Sequence, residues 1–198
     1  MIFKQLRANI DVDDDTFNEL YPNRIKKLSS RHWTPVVVAK MAAEYLAKKP
    51  NIKVLDIGSG AGKFCLVGAA CTQGMFYGIE QRDYLIEISK KIAAKYHLPN
   101  IEFINSNINK INFCDYEAFY FFNSFYENVD TSCPIDNIIL PSNDLFYAYS
   151  NYVKQQLQST AVGTRLVTYC TDSDNIPNSF SLSHSAYYGF LKFWDKVL

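Results

Sequence analysis

Residues 54–63 read Val54-Leu-Asp-Ile-Gly58-Ser-Gly-Ala-Gly-Lys63. A short apolar run meets three alternating glycines, and the stretch that follows, KFCLVGAACTQ, has the pattern of a helix. Glycine is needed where backbone turns sharply or lies against a ligand. A helix that starts at such a turn offers unpaired N–H groups and a positive dipole end, which suit a carboxylate or a phosphate. The next apolar run, MFYGIE, ends on Glu80, eighteen residues after Gly62. A carboxylate at that point can accept both hydroxyls of a ribose.

The spacing sorts the ligands that such a turn can hold. A P-loop needs four residues between its first glycine and Gly-Lys, then serine or threonine. Here three residues separate Gly58 from Gly62-Lys63, and Phe64 follows. The dinucleotide pattern Gly-x-Gly-x-x-Gly is one residue longer, and a carboxylate at Asp56 would repel a pyrophosphate. The same carboxylate suits the ammonium of an amino acid. A ligand with a ribose at one end and a zwitterionic amino acid at the other satisfies all of these residues.

Outward from the turn, strands and helices alternate. KVLDIG, MFYGIE, IEFIN, AFYFF and TRLVTYC read as short apolar strands. Residues 82–97 place Leu85, Ile88, Ile92 and Tyr96 at helical spacing, and residues 142–160 do the same with Leu145, Tyr149, Val153 and Leu157. Gly163 ends that second segment. SFSLSHS, alternating at Phe180, Leu182 and His184, and GFLKFWDKV read as a closing hairpin. The pattern predicts an α/β fold, a doubly wound and mostly parallel sheet with an antiparallel edge hairpin.

Residues 1–50 read as an N-terminal helical extension to a domain over 51–198, the whole forming one domain. The acidic run Asp11, Asp13, Asp14, Asp15 suits a helix N-terminus. Arg24, Lys26, Lys27 and Arg31 form a small basic group, expected on a solvated face. Thr34 is placed to cap a helix with Pro35 at its first position, running to Lys48-Lys49 and stopped by Pro50.

Bulk properties narrow the function. The 198 residues carry 20 Lys plus Arg against 20 Asp plus Glu, so the basic excess of a general nucleic-acid binder is missing. No apolar run approaches the ~18 residues of a membrane span, and the N-terminus lacks a secretory signal pattern. Five cysteines at irregular spacing form no disulfide framework and no Cys-x-x-Cys pair, and His32, His97 and His184 show no metal-ligand spacing. A cytoplasmic protein with reduced thiols and no metal is expected.

Leu55-Asp56-Ile57-Gly58-Ser59-Gly60-Ala61-Gly62, followed by Glu80, resembles the first motif and the ribose acid of the class I S-adenosylmethionine-dependent methyltransferases. The resemblance runs over residues 33–170 in the order of elements. It implies a Rossmann-like sheet of seven strands in the order 3-2-1-4-5-7-6. It implies S-adenosylmethionine as cofactor, held by Asp56, Gly58, Ser59, Gly60, Gly62, Glu80 and Gln81. The adenine contact of this family falls on Asn107 and Ile108, with an asparagine in place of the usual acid. Thr34, in His32-Trp33-Thr34-Pro35, matches a Thr-Pro that lines the methionine end in several subfamilies. It also suits a plain helix start.

The same resemblance gives meaning to AFYFFNSFYEN, residues 118–128. In this class the fourth strand lies beside the first, so Asn123-Ser124 would face Gly58 and Gly60 across the crevice. Asn123-Ser124-Phe125-Tyr126 is similar to the Asn-Pro-Pro-Tyr of amino-methylating members, with Ser124 replacing a proline and loosening the loop. Asn123 would touch the cofactor and hold an acceptor N–H, and Phe125 and Tyr126 would wall in the acceptor. A short likeness to the non-SET lysine methyltransferases covers Asp-Ile-Gly-Ser-Gly-Ala-Gly-Lys and Gly-Ile-Glu. The expected activity is direct methyl transfer to a nitrogen of a protein side chain, a small amine or an RNA base. The alternatives are a non-catalytic S-adenosylmethionine-binding module and a nicotinamide-dependent oxidoreductase.

Overall fold

Val54, Leu55 and Ile57 are fully buried, as in a strand covered on both faces. In the computed structural model, which describes residues 1–198, they form β1 (Lys53–Ile57) in the interior of the sheet. The other strands are β2 (Met75–Glu80), β3 (Ile101–Asn105), β4 (Ala118–Phe121), β5 (Arg165–Tyr169), β6 (Phe180–Ala186) and β7 (Leu191–Lys196). Their spatial order is β3-β2-β1-β4-β5-β7-β6. β1 to β5 pair in parallel, and β7 runs antiparallel to β5 and β6. This is the expected sheet.

The register of β1 and β4 positions the site. Asp56 lies opposite Tyr120 and Ile57 opposite Phe121, so the two strands end side by side. The residues after β4 therefore emerge next to the glycine turn after β1, at the carboxyl edge where doubly wound sheets bind ligands.

In chain order the helices are α1 (Ile2–Arg7), α2 (Asp14–Asn18), α3 (Asn23–Lys26), α4 (Ser29–His32), α5 (Val36–Leu46), α6 (Lys63–Cys71), α7 (Asp83–Lys95) and α8 (Asn143–Ser159). α5, α6 and α7 contribute to the larger core cluster, together with Phe3, Leu6, Phe17, Tyr21, Ile25 and Trp33 from the N-terminal helices. Residues 1–50 thus share the core of the sheet. α8 contributes Val153 and Leu157 to the second cluster, with Leu55, Ile57 and Phe119. β4 is buried along its whole length, so the aromatics of AFYF are core.

Three local expectations change. Pro35, not Thr34, is the residue before α5, and it caps without a side chain. The Thr34 hydroxyl instead bonds the buried Tyr120 hydroxyl at 2.9 Å, and Asp14 accepts the Val36 N–H at 2.9 Å. The helix ends at Leu46, before Lys48-Lys49. In β6 the alternation fails: Leu182 is exposed on this edge strand, and a register shift after it sets His184 opposite Phe193, on which its ring stacks. The acidic run does start a helix, with Asp13 accepting the Thr16 N–H at 2.7 Å.

Lys196, near the chain end, closes α8. Its ammonium donates to the carbonyls of Leu157 (3.1 Å), Gln158 (2.6 Å) and Thr160 (2.6 Å), around the end of the helix where carbonyls lack intrahelical partners. Lys196→Met is expected to lower the unfolding free energy by about 1–3 kcal/mol, read by urea denaturation. A variant as stable as wild type would show that water replaces the ammonium without cost.

Candidate functional site

Gly58, Gly60 and Gly62 all have positive φ, at +73°, +53° and +75°. Conformation alone would favour glycine, and space requires it at all three. A Cβ on Gly58 would strike the Ser124 side chain, and one on Gly60 would strike the Trp33 ring. Gly62 differs. It precedes α6 in the left-handed conformation, and a Cβ there would meet Phe103 and Ser89 rather than the crevice.

The crevice at the carboxyl edge encloses about 1100 Å³, its solvent mouth included. Among the residues expected from sequence, Thr34, Asp56, Gly58, Ser59, Gly60, Glu80, Gln81, Asn107, Ile108, Asn123, Phe125 and Tyr126 line it together. Gly62 is not in its wall.

Glu80 is buried at the end of β2. Its carboxylate accepts N–H groups from Gly60 (3.2 Å) and Arg82 (2.9 Å). Burial raises its pKa, and the Arg82 N–H and guanidinium pull in the other direction. Asp56 is also buried, and desolvation pushes its pKa up to about 7, opposed by the Cys65 thiol and reinforced by Glu80. Its oxygen lies 3.5 Å from that thiol. Nothing cationic pairs with Asp56 in the fold. A ligand ammonium would supply the missing charge. Ser59 adds a buried hydroxyl without a hydrogen-bond partner. A cradle of this kind fits a ligand with ribose hydroxyls for Glu80 and an α-amino group for Asp56.

Asn107 turns its amide between the Gln81 side chain (3.3 Å) and the Tyr149 hydroxyl (2.7 Å). Its carbonyl oxygen accepts the Asn109 N–H at 3.2 Å. Ile108 beside it is buried.

Beyond β4, Asn123 adopts φ +38°, an uncommon conformation for a residue other than glycine. Its backbone N–H is held by the Thr171 hydroxyl at 3.0 Å, and the residue lines the crevice. Where the missing proline implied a looser loop, Ser124 supplies a tie of its own. Its hydroxyl donates to the Ile57 carbonyl, stitching the loop to the end of β1. Phe125 is buried against Phe121 and Tyr149, so it backs the wall more than it faces solvent. Tyr126 is exposed at the rim.

Several wall residues escaped the sequence reading. Arg82 is buried and paired with Glu127 and Asp136. Lys63 is buried and paired with Asp14 at 2.5 Å. Each cation sits at a helix start, where the dipole disfavours it. That misplacement was the available signal of a distant carboxylate partner. Tyr120, stacked on Phe64 at 4.0 Å, carries no such signal because it reads as core.

A family model described as a methyltransferase domain matches residues 48–158, more than half of the chain. No curated protein matches the sequence. Among solved structures, TrmN from Thermus thermophilus aligns with TM-score 0.59 and 19% identity over 87% of this chain, which spans 52% of TrmN. An SAM-dependent O-methyltransferase from Thermotoga maritima aligns with TM-score 0.58 and 15% identity, over 89% of this chain and 72% of that one. An RNA methyltransferase from Salinibacter ruber, in complex with S-adenosyl-L-homocysteine, aligns with TM-score 0.58 and 16% identity, over 83% and 92%. At these identities the likeness is one of fold.

The raised pKa of Asp56 gives a pH signature. The folded chain holds its proton up to about pH 7, whereas the unfolded chain releases it near pH 4. Its contribution is therefore full below the unfolded value and is lost as pH rises through about 7. Asp56→Asn is expected to raise the ligand-free melting temperature by several degrees at pH 8, with the gap closing toward pH 4. Thermal scans across that range check it; a gap independent of pH would remove the assignment.

Proposed function

The chain belongs to the methyltransferase-domain family, and from that premise we propose that it carries a methyl group from S-adenosylmethionine to a nitrogen acceptor. Glu80 would hold the ribose hydroxyls, Asp56 the ammonium, and the turn backbone with Ser59 the body of the methionine moiety. Gly62 would set the helix that follows. Gln81, Asn107 and Ile108 would line the adenine end, and Thr34 the methionine end. When bound, S-adenosylmethionine supplies a methyl group made electrophilic by its sulfonium.

The observation that carries the nitrogen reading is the Asn123 amide. Asn123 lines the crevice with a left-handed backbone, one residue before the contact of Ser124 with Gly58, which supports this reading. Its side-chain carbonyl can accept an acceptor N–H and so fix the direction of the nitrogen lone pair. Tyr126 at the rim and the Phe125 wall behind it exclude water. Orientation of this kind lowers barriers by roughly 7–11 kcal/mol in well-ordered cases. If the acceptor arrives as an ammonium, a proton must leave first, and Glu127 is engaged by Arg82 rather than free for that role.

The acceptor classes are a protein side chain, a small amine and an RNA base. Balanced charge favours the first two. No helix is long and apolar enough to cross a membrane. Five free cysteines support a cytoplasmic setting.

The test is transfer of labelled methyl from S-adenosylmethionine into a cell extract, with protease and nuclease digestion to class the product. Asn123→Ala is expected to lower transfer by about a hundredfold while weakening S-adenosylhomocysteine binding no more than about threefold. An Asn123→Ala protein as active as wild type would remove the catalytic role. Cofactor binding without any transfer would favour a binding module.

A further inference from the structure

Arg82 is a buried cation shared by three carboxylates, and no step of the proposed transfer uses it. Its guanidinium donates to both oxygens of Glu127, at 3.1 and 2.8 Å. Its Nε donates to Asp136 at 2.9 Å, and Glu80 lies 3.6 Å from its Nη1. The side chains of Arg82, Glu80, Glu127 and Asp136 are all 12% exposed or less. Tyr84 donates its hydroxyl to the same Asp136 oxygen at 2.8 Å, and the Ile138 N–H donates to the other at 2.9 Å.

Glu127 and Asp136 belong to the segment between β4 and α8, which begins with Asn123-Ser124-Phe125-Tyr126. Apolar burial anchors this segment at Phe125 and partly at Ile135, while Tyr126, Val129, Ile138 and Leu140 stay exposed, so its outer part depends on other contacts. Polar ties hold it instead. Besides Arg82 there are the Arg31–Asp130 ion pair and a bond from His32 to the Cys133 carbonyl at 2.9 Å.

One guanidinium cannot neutralise three carboxylates. Glu127 and Asp136 hold it by direct hydrogen bonds, and Glu80 only by the longer contact. A ligand that donates hydroxyls to Glu80 would relieve its need for Arg82, and the guanidinium would then bind the other two more firmly. We infer that Arg82 is a positioning residue that couples occupation of Glu80 by the cofactor ribose to placement of the segment carrying Asn123 and Tyr126. The inference rests on the reading of Glu80 as the ribose acid. It predicts that cofactor binding orders the acceptor side of the crevice.

Hydrogen–deuterium exchange over residues 123–140, with and without S-adenosylhomocysteine, tests this alongside calorimetry and labelled transfer. In wild type, S-adenosylhomocysteine should slow exchange there by roughly tenfold, within the range of ordinary site-to-site couplings. Glu127→Gln, which keeps the shape of the side chain, should still bind S-adenosylhomocysteine within about threefold of wild type yet lose the slowing and most of the transfer. Arg82→Lys should restore only part of both, because an ammonium cannot make the bidentate pair. Slowing retained in full by Glu127→Gln would overturn the coupling, as would a wild type that binds S-adenosylhomocysteine with no slowing. A wild type that does not bind S-adenosylhomocysteine would overturn the cofactor reading and the coupling with it.

Discussion

The glycine turn after β1 has no room for side chains, and three separate parts of the chain meet it there. Ser124, from the loop after β4, sits where a Cβ on Gly58 would be. Trp33, from the N-terminal helices, occupies that place at Gly60, and Phe103 of β3 does so at Gly62. The Trp33 indole is itself fixed by a hydrogen bond to the Ile25 carbonyl at 3.1 Å. The end of β1, the loop after β4 and the N-terminal extension are therefore registered on one stretch of bare backbone. A methyl group added at Gly58 or Gly60 would push on a wall of the crevice as well as strain the turn.

Charge completes what steric contact begins. The two helices that start beside the cradle, α6 and α7, each begin on a cation. Lys63 is neutralised by Asp14 and bonded to Asn18 at 3.0 Å, and the same Asp14 oxygen accepts the first N–H of α5. One carboxylate thus joins the starts of two helices. Arg82 joins the end of β2 to the loop after β4. Buried ion pairs cost desolvation and add little net stability. Their effect is to fix which walls face each other.

The strands are legible in the sequence because they announce themselves by local composition, and their order is what the resemblance to the class I methyltransferases implies. Asp56, Gly58, Gly60 and Glu80 are legible for the same reason: strand and turn composition put them at the carboxyl ends of β1 and β2, where they line one crevice. What is hidden depends on partners far along the chain. Thr34 is a good helix cap by type, yet its hydroxyl goes to Tyr120, 86 residues away. Ser124 looks like a weakened proline until the Ile57 carbonyl, 67 residues back, receives its hydroxyl. Glu127 lies 45 residues from Arg82, and no periodicity links them. His184 leaves the alternation because a bulge after Leu182, invisible in an alternating pattern, sets it opposite Phe193.

The central claim is that the cradle of Asp56, the glycine turn and Glu80 selects an amino acid linked to a ribose. Calorimetric titration of the wild-type protein and of Glu80→Gln, with S-adenosylmethionine and with NAD, tests it most directly. Saturable binding of S-adenosylmethionine is predicted, with no binding of NAD. Loss of charge-assisted hydrogen bonds to the ribose, worth about 1.5–3 kcal/mol, should weaken binding to Glu80→Gln by roughly tenfold or more. Binding of NAD in preference to S-adenosylmethionine, or equal affinity of Glu80→Gln and wild type for S-adenosylmethionine, would contradict it.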